Sequence, residues 1–167
     1  MQQLLNQFTE TLAQEREVHT ELLTLSEQKK DAITRNDIIS LDRIVKGEEV
    51  LLSRLNQWEQ KRRACVRDLA GQLGRPEGEV VLRDILPLCG RAQQEQLETL
   101  HEELTSLLQR QLAVNDLNKR LIESRLEYIN YSLETAAGAG QSFHTYGGEG
   151  RESGRPARKT NIIDQKI

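Results

Sequence analysis

The sequence predicts an all-α protein, an elongated antiparallel bundle of three long helices with a short connecting helix and a flexible C-terminal tail. Its three prolines, Pro76, Pro87 and Pro156, leave residues 1–75 and 88–155 without an obligatory helix breaker. Aromatic residues make up 4% of the chain and charged residues 29%, which favours thin helix-to-helix seams over a thick core. Apolar residues also recur at intervals of three and four, the spacing of one helix face.

Composition narrows the function classes before any motif is considered. The net charge of −3 argues against general nucleic-acid binding, which depends on clustered Lys and Arg. No run approaches the roughly 20 apolar residues that span a bilayer, and the N-terminus lacks the pattern of a secretion signal. We therefore expect a cytoplasmic protein without direct membrane insertion. In that compartment Cys65 and Cys89 should be reduced structural thiols.

The first two helices should form a hairpin. The first helix should run from about residue 2 to about residue 35. Its apolar stripe consists of Leu4, Leu5, Phe8, Leu12, Val18, Leu22, Leu23 and Leu25. Asp37 is a good N-cap for the second. The stripe of the second helix consists of Leu41, Ile44, Val45, Leu51, Leu52, Leu55, Trp58, Cys65, Val66, Leu69 and Leu73. Because the connection is short, the two helices should lie antiparallel.

A short helical piece and a third long helix should follow. Gly71, Gly74 and Pro76 end the second helix, and residues 80–86 predict a short helix that stops before Pro87 and plugs one end of the bundle. The third helix should run from about residue 91 for about 45 residues. Its stripe consists of Leu97, Leu100, Leu104, Leu107, Leu108, Val114, Leu121, Ile122, Tyr128, Ile129 and Leu133.

Polar residues interrupt these stripes. They are Glu15, His19, Ser26 and Lys29 on the first helix, and Gln111, Asn115, Asn118 and Arg125 on the third. One interpretation is that the asparagines fix the register of the helices by hydrogen bonding across the seam. The other is that one face of the third helix awaits a partner helix that completes the packing. The two interpretations are compatible.

The composition changes after Leu133, so we divide the chain into a helical body, residues 1–137, and a flexible partner-binding tail, residues 138–167. The tail holds six of the eleven glycines, which is typical of a solvated terminus. Its apolar residues, Phe143, Tyr146, Ile162 and Ile163, are spaced as anchors that could become ordered when a partner binds.

One sequence motif bears on whether the protein is an enzyme. Glu98-x-x-His101 matches the helical Glu-x-x-His of di-iron bundles, but a di-iron site needs a second copy and further glutamates. His101 is better interpreted as a residue at the edge of the seam. No phosphate loop, nucleophile elbow or His-Glu-x-x-His motif occurs. We expect no catalytic residue, no metal and no cofactor.

The chain as a whole resembles the FlgN-type flagellar export chaperones of bacteria. The resemblance rests on the two amphipathic helices of the hairpin, with Trp58 near the middle of the second, and on Asn115-x-x-Asn118-x-x-Leu121. It also rests on the element Tyr146-Gly147-Gly148-Glu149-Gly150 and on the basic and then apolar ending of the chain. Asn-x-x-Asn followed within thirty residues by Tyr-Gly-x-x-Gly is its more specific part.

The resemblance implies a non-enzymatic cytoplasmic protein that binds hook-filament junction subunits and delivers them to the export apparatus. Implied partners are the cargo, the cytoplasmic domain of the export gate and the export ATPase. Gate docking is expected at Tyr146, Gly147 and Gly150. Cargo contacts are expected at Asn115, Asn118, Leu121, Ile122, Tyr128 and Ile129. The alternative is a coiled-coil adaptor or oligomerising scaffold without a secretion role.

Overall fold

The computed structural model describes residues 1–139, and these are helical throughout apart from the connecting turns. The elements in chain order are α1 (Gln2–Arg35), α2 (Ile38–Leu73), a 3₁₀ turn (Glu77–Glu79), α3 (Leu82–Ile85), a 3₁₀ turn (Leu86–Leu88) and α4 (Arg91–Ala139). The prediction of an all-α chain with three long helices and a short connecting helix is confirmed. The chain divides into two compact units, Met1–Tyr128 and Ile129–Ile167. The boundary predicted at residue 137 falls within the second unit.

The turn between α1 and α2 is built by two consecutive polar residues. Asn36 adopts the left-handed conformation, with φ of 57°, which Asn tolerates better than most residues. The backbone N–H of Asp37 then donates to the carbonyl of Ala32 at 2.9 Å. The Asp37 carboxylate accepts from the N–H of Ser40 at 3.0 Å, and hydrogen bonds from the side chain and then the backbone of Ser40 hold the pKa of Asp37 below its ordinary value. The predicted N-cap and antiparallel hairpin are confirmed.

The segment between α2 and α4 closes one end of the first unit. Gly74 ends α2 in the left-handed conformation, with φ of 66°, where a glycine has no steric penalty. Asp84 accepts from the N–H of Val81 at 3.1 Å, which fixes the start of α3. The buried cluster at this end combines residues from all four helices and consists of Leu5, Phe8, Cys65, Leu69, Ile85, Cys89 and Leu97. The predicted plug is therefore present.

Polar contacts hold α4 against α1 over most of the length of α1. Their residue pairs are Gln2 with Gln93, Arg16 with Glu103, His19 with Gln111, Ser26 with Asn118, and Thr34 with Arg125. The residue numbers increase together along both helices, so α4 runs parallel to α1 and antiparallel to α2. The pairing ends with Thr34 because α1 itself ends at Arg35.

Burial of α4 differs from the prediction in its second half. Leu97, Leu100 and Leu104 are buried, but Leu107, Val114 and Leu121 are half-buried. The predicted stripe residues that are exposed are Leu108, Ile122, Tyr128, Ile129 and Leu133. The second buried cluster explains the difference, since its residues come from α1 and α2: Val18, Leu22, Leu51 and Leu55. Away from the plug, α4 therefore covers part of the hairpin and keeps much of its own apolar surface in solvent.

The second unit begins at Ile129, and its described part is the last portion of α4. Its large apolar residues Ile129, Tyr131 and Leu133 are exposed. Within it, the Thr135 hydroxyl donates to the carbonyl of Tyr131 at 2.9 Å, a local bond along the helix. The predicted tail from residue 140 onward lies outside the described residues.

Two leucines of α2 provide a test of where the fold is stabilised. Leu69 is 0% exposed in the closed end, whereas Leu52 is 54% exposed. We expect Leu69→Ala to lower the free energy of unfolding by about 2–5 kcal/mol, because it leaves a cavity among four helices. Leu52→Ala, the matched control, should change it by about 0.5 kcal/mol or less. Urea unfolding followed by circular dichroism measures both. Equal losses would show that the closed end is not the main core.

Candidate partner-binding cleft

A cleft runs along the first unit between α2 and α4, with α1 as its floor. Two adjacent hollows form it, with volumes of about 400 Å³ and 470 Å³. The floor residues are Phe8, Leu12, Glu15 and His19 in the first hollow and Leu22, Ser26 and Lys29 in the second. They are spaced alternately by four and three, the repeat of a helix seam that receives another helix. We call the first the Glu15 hollow and the second the Asn118 hollow.

The walls of the cleft follow the same repeat. From α2, Glu59, Arg62 and Val66 line the Glu15 hollow, and Glu48 and Leu52 line the Asn118 hollow. From α4, the Glu15 hollow receives His101, Leu104, Thr105 and Leu108, and the Asn118 hollow receives Gln111, Asn115, Asn118, Lys119, Ile122 and Glu123. Each of the three long helices therefore presents one seam to the same space. A fourth helix placed there would contact all three.

The cleft keeps apolar side chains in contact with solvent. Leu108 is 48% exposed in the Glu15 hollow, and Ile122 is 39% exposed in the Asn118 hollow, which Leu52 of α2 also lines. An apolar strip between polar rims is typical of a surface that binds another protein. The strip is discontinuous, because charged and amide side chains alternate with the apolar ones.

An ion pair occupies the Glu15 hollow. The Nε of Arg62 donates to both carboxylate oxygens of Glu15, at 2.9 Å and 3.0 Å. Glu15 is 6% exposed, and desolvation by burial raises its pKa, although the charge and hydrogen bond of Arg62 act in the opposite direction. Beside this pair, His19 Nδ1 lies 3.0 Å from Gln111 Oε1. The hollow thus places a buried carboxylate on the floor of a groove whose lining is partly apolar and partly polar.

A polar layer also crosses the Asn118 hollow. Lys29 and Glu48 form an ion pair between α1 and α2. The Nδ2 of Asn118 donates to the backbone carbonyl of Ser26 at 2.8 Å, which joins α4 to α1. Asn118 and Ser26 are both buried. The interpretation that an asparagine fixes the register between helices is therefore supported for Asn118.

The predicted cargo-binding residues do not share one surface. Asn115, Asn118 and Ile122 line the cleft. A helix advances about 100° per residue, so Leu121 and Tyr128 lie on the other flank of α4. Ile129 is exposed and belongs to the second unit. The residues predicted for the gate and for tail anchoring, namely Phe143, Tyr146, Gly147, Gly150, Ile162 and Ile163, lie outside the described residues.

Sequence reasoning missed the contribution of the hairpin to this cleft. Leu52 was placed on the stripe of α2, yet it is exposed at the cleft wall. Leu108 was likewise placed on the buried side of α4. The available signal was the alternation of charged and apolar residues at heptad positions of α2, where Glu48, Leu52 and Glu59 follow one another. Such alternation indicates a seam that is only partly closed.

The residues considered for metal binding lie one turn apart on the surface of α4. Glu98 and His101 are both exposed, and His101 lines the Glu15 hollow. Within residues 1–139, no group of three His, Cys, Asp or Glu side chains is placed to hold a metal ion. Cys65 and Cys89 are free and buried, and desolvation raises the pKa of both thiols. In that same part of the chain, no helix is long and apolar enough to cross a membrane.

Glu15→Gln tests the buried carboxylate. The folded-state pKa of Glu15 lies above its ordinary value of 4.5, so the folded chain holds this proton more tightly than the unfolded chain does. Its contribution to stability is fully present below pH 4.5 and is lost as the pH rises through the folded-state pKa. Gln keeps an acceptor for Arg62 without a charge. We therefore expect the variant to gain stability relative to wild type as the pH rises from 4.5 through the folded-state pKa of Glu15.

The measurement is the urea midpoint of both proteins across that pH range, with Glu102→Gln as a control at an exposed glutamate of α4. The control difference should stay constant with pH. A constant difference for Glu15→Gln as well, or one that changes in the opposite direction, would contradict the assignment.

Comparisons with known proteins identify the family of the chain. The family model described as FlgN protein matches residues 1–154. Protein YvyG of Bacillus subtilis (strain 168), which is described as uncharacterized, is 30% identical over 117 residues, covering 70% of this chain and 71% of its own. No solved structure matches the chain. Since the family model covers all of the described helices, the chain belongs to the FlgN family and is a flagellar export chaperone.

Proposed function

We propose that this protein is a cytoplasmic chaperone that binds hook-filament junction subunits before secretion and delivers them to the flagellar export apparatus. The family supports the general chaperone role. The observation that supports cargo binding is the three-sided cleft, in which α1, α2 and α4 present seams with heptad spacing to one space. A helical segment of the cargo would lie in it and complete a four-helix arrangement.

The dimensions of the cleft suit such a segment. Its floor runs from Phe8 to Lys29 on α1, a length of about 32 Å at 1.5 Å per residue. A cargo helix of about 20 residues would cover that length. Packing of its apolar face would bury Leu108, Ile122 and Leu52, which solvent reaches in the free protein. The gain from this burial is the driving force for binding.

Cargo retention and delivery are assigned to different parts of the chain. The cleft lies within Met1–Tyr128, whereas the gate contact is proposed at Tyr146, outside the described residues. A tyrosine followed by two glycines presents its ring and hydroxyl without bulky neighbours. Such a separation would let one protein hold its cargo and contact the export gate at the same time.

Two substitutions on α4 test the cleft as the cargo site. Ile122 lies in the cleft and is 39% exposed, and Leu117 lies on the other flank of α4 and is 44% exposed. We expect Ile122→Ser to weaken binding of a hook-filament junction subunit about tenfold, because one buried aliphatic side chain contributes roughly 1.5 kcal/mol. Leu117→Ser, the matched control, should change the dissociation constant by less than about twofold.

Isothermal titration calorimetry measures both constants, and circular dichroism must show unchanged helix content in both variants. Equal effects of the two substitutions would place the cargo elsewhere. Gel filtration of the wild type with and without cargo distinguishes the scaffold alternative. A chaperone gives a stoichiometric complex with cargo, whereas a scaffold assembles with itself and leaves the cargo unbound.

Tyr146→Ala tests the proposed gate contact. We expect the variant to bind cargo as the wild type does and to bind the cytoplasmic domain of the export gate about 30-fold more weakly, since a central interface aromatic often contributes about 2 kcal/mol. Calorimetric titration of that domain, with each chaperone already loaded with cargo, provides the comparison. Phe143→Ala is the control for a nearby aromatic residue in the same segment. Unchanged affinity of the Tyr146 variant would remove this residue from gate binding.

A further inference from the structure

Asn118 is buried in the cleft, and its side chain makes one hydrogen bond of the four that an amide can make. Its side chain amide is 3% exposed and lines the Asn118 hollow. The Nδ2 donates to the carbonyl of Ser26 at 2.8 Å, which fixes the orientation of the amide group. The Oδ1 has no hydrogen-bond partner among the described residues. A buried acceptor without a donor is costly in a folded protein, so its persistence calls for an explanation.

Fixing the register between α1 and α4 explains the Nδ2 atom of Asn118 but not its Oδ1 atom. Of the two atoms, only Nδ2 makes a contact that joins α4 to α1. On the floor of the same hollow, the ammonium group of Lys29 is already paired with Glu48. The polar layer of the Asn118 hollow is therefore complete except for one acceptor, and that acceptor belongs to a residue that lines the space in which a partner helix would lie.

We propose that the cleft selects a helix whose apolar stripe is interrupted by one hydrogen-bond donor, and that this donor binds Asn118 Oδ1. The inference rests on the proposed function, since it specifies the partner of the same cleft. The donor is a side chain amide, hydroxyl, ammonium or guanidinium group. It reaches Oδ1 when exposed neighbours in the cleft, such as Ile122 and Lys119, change rotamer as the helix packs.

The donor would set the register of the bound helix. Apolar residues one turn before and after it would contact Leu22 and Leu52, which line the same hollow. A helix shifted by one turn would place an apolar group against Oδ1 and leave the acceptor without a donor. One polar position in a helix seam fixes register in this way in coiled coils. The apolar residues supply affinity, and Asn118 supplies discrimination between segments of similar hydrophobicity.

Asn118→Leu is the central test, and it is measured in two ways: by the melting temperature of the free protein and by the affinity for cargo. In the free protein the variant removes an unpaired buried acceptor, and Ser26 keeps the N–H bond that its carbonyl accepts within α1. The melting temperature of the free variant should therefore equal or exceed that of the wild type. Binding of a hook-filament junction subunit should weaken about tenfold, because the donor of the bound helix then has no acceptor.

Gln109→Leu is the matched control. Gln109 lies on α4, is exposed and is not among the residues that line the Glu15 or Asn118 hollow, so solvent satisfies its amide with or without a partner in the cleft. This variant should keep the affinity of the wild type within about twofold. A cargo panel in which each polar residue of the bound segment is replaced in turn by Ala completes the experiment. One of these cargo replacements, the one that removes the donor, should weaken binding to the wild-type chaperone. The same replacement should not weaken binding to the Asn118→Leu variant any further.

The outcomes separate this inference from the proposed function. Wild-type protein that binds no junction subunit overturns the proposed function and the inference together. Binding to wild type and to Asn118→Leu with equal affinity overturns the inference and leaves the chaperone function in place. A lower melting temperature for Asn118→Leu in the absence of cargo would show that the amide is needed by the free fold, and would also overturn it.

Discussion

Helix α1 is the element on which the rest of the first unit depends. It packs against α2 in an antiparallel hairpin, and polar contacts join it to α4, which runs parallel to it. These two neighbouring helices each cover part of its surface. Two helices leave part of a third uncovered. The seam of α1 that contains Glu15 and Ser26 lies between these two neighbours as the floor of the cleft, where both residues are buried, and the cleft follows from this geometry.

The closed end makes the open cleft possible. Around Leu69 and Ile85, residues from all four helices are buried together, and the short helix α3 fills the position that a fourth long helix would occupy elsewhere. Stability is therefore concentrated at one end, while burial against α4 decreases towards Ile122. A substitution at an exposed wall residue such as Ile122 should therefore affect folding little.

The fold was predictable from the sequence to within a few residues because its signals are local. Pro76 and Pro87, the N-cap Asp37 and the heptad-like spacing of leucines depend on neighbours within a turn or two. These local signals do not predict which side of α4 the hairpin covers. Leu104 and Leu108 look alike in sequence, and their different burial results from how far the hairpin extends around α4. The site residues Leu52 and Leu108 were missed for that reason, whereas Asn118 was found because an amide within a leucine stripe is conspicuous.

The polar residues of the cleft give the open seam its selectivity. A wholly apolar cleft of this size would also attract a second copy of the chain or any amphipathic helix. Covering Arg62, whose side chain is 34% exposed in its pair with Glu15, or the ion pair of Lys29 with Glu48, with a partner that offers no polar group would remove their contact with solvent without replacement. Only a helix whose polar residues meet these positions gains from the apolar contacts without that cost. The alternation that weakens the bundle as a closed core thus restricts which helix can complete it, and that restriction is what the proposed cargo chaperone requires.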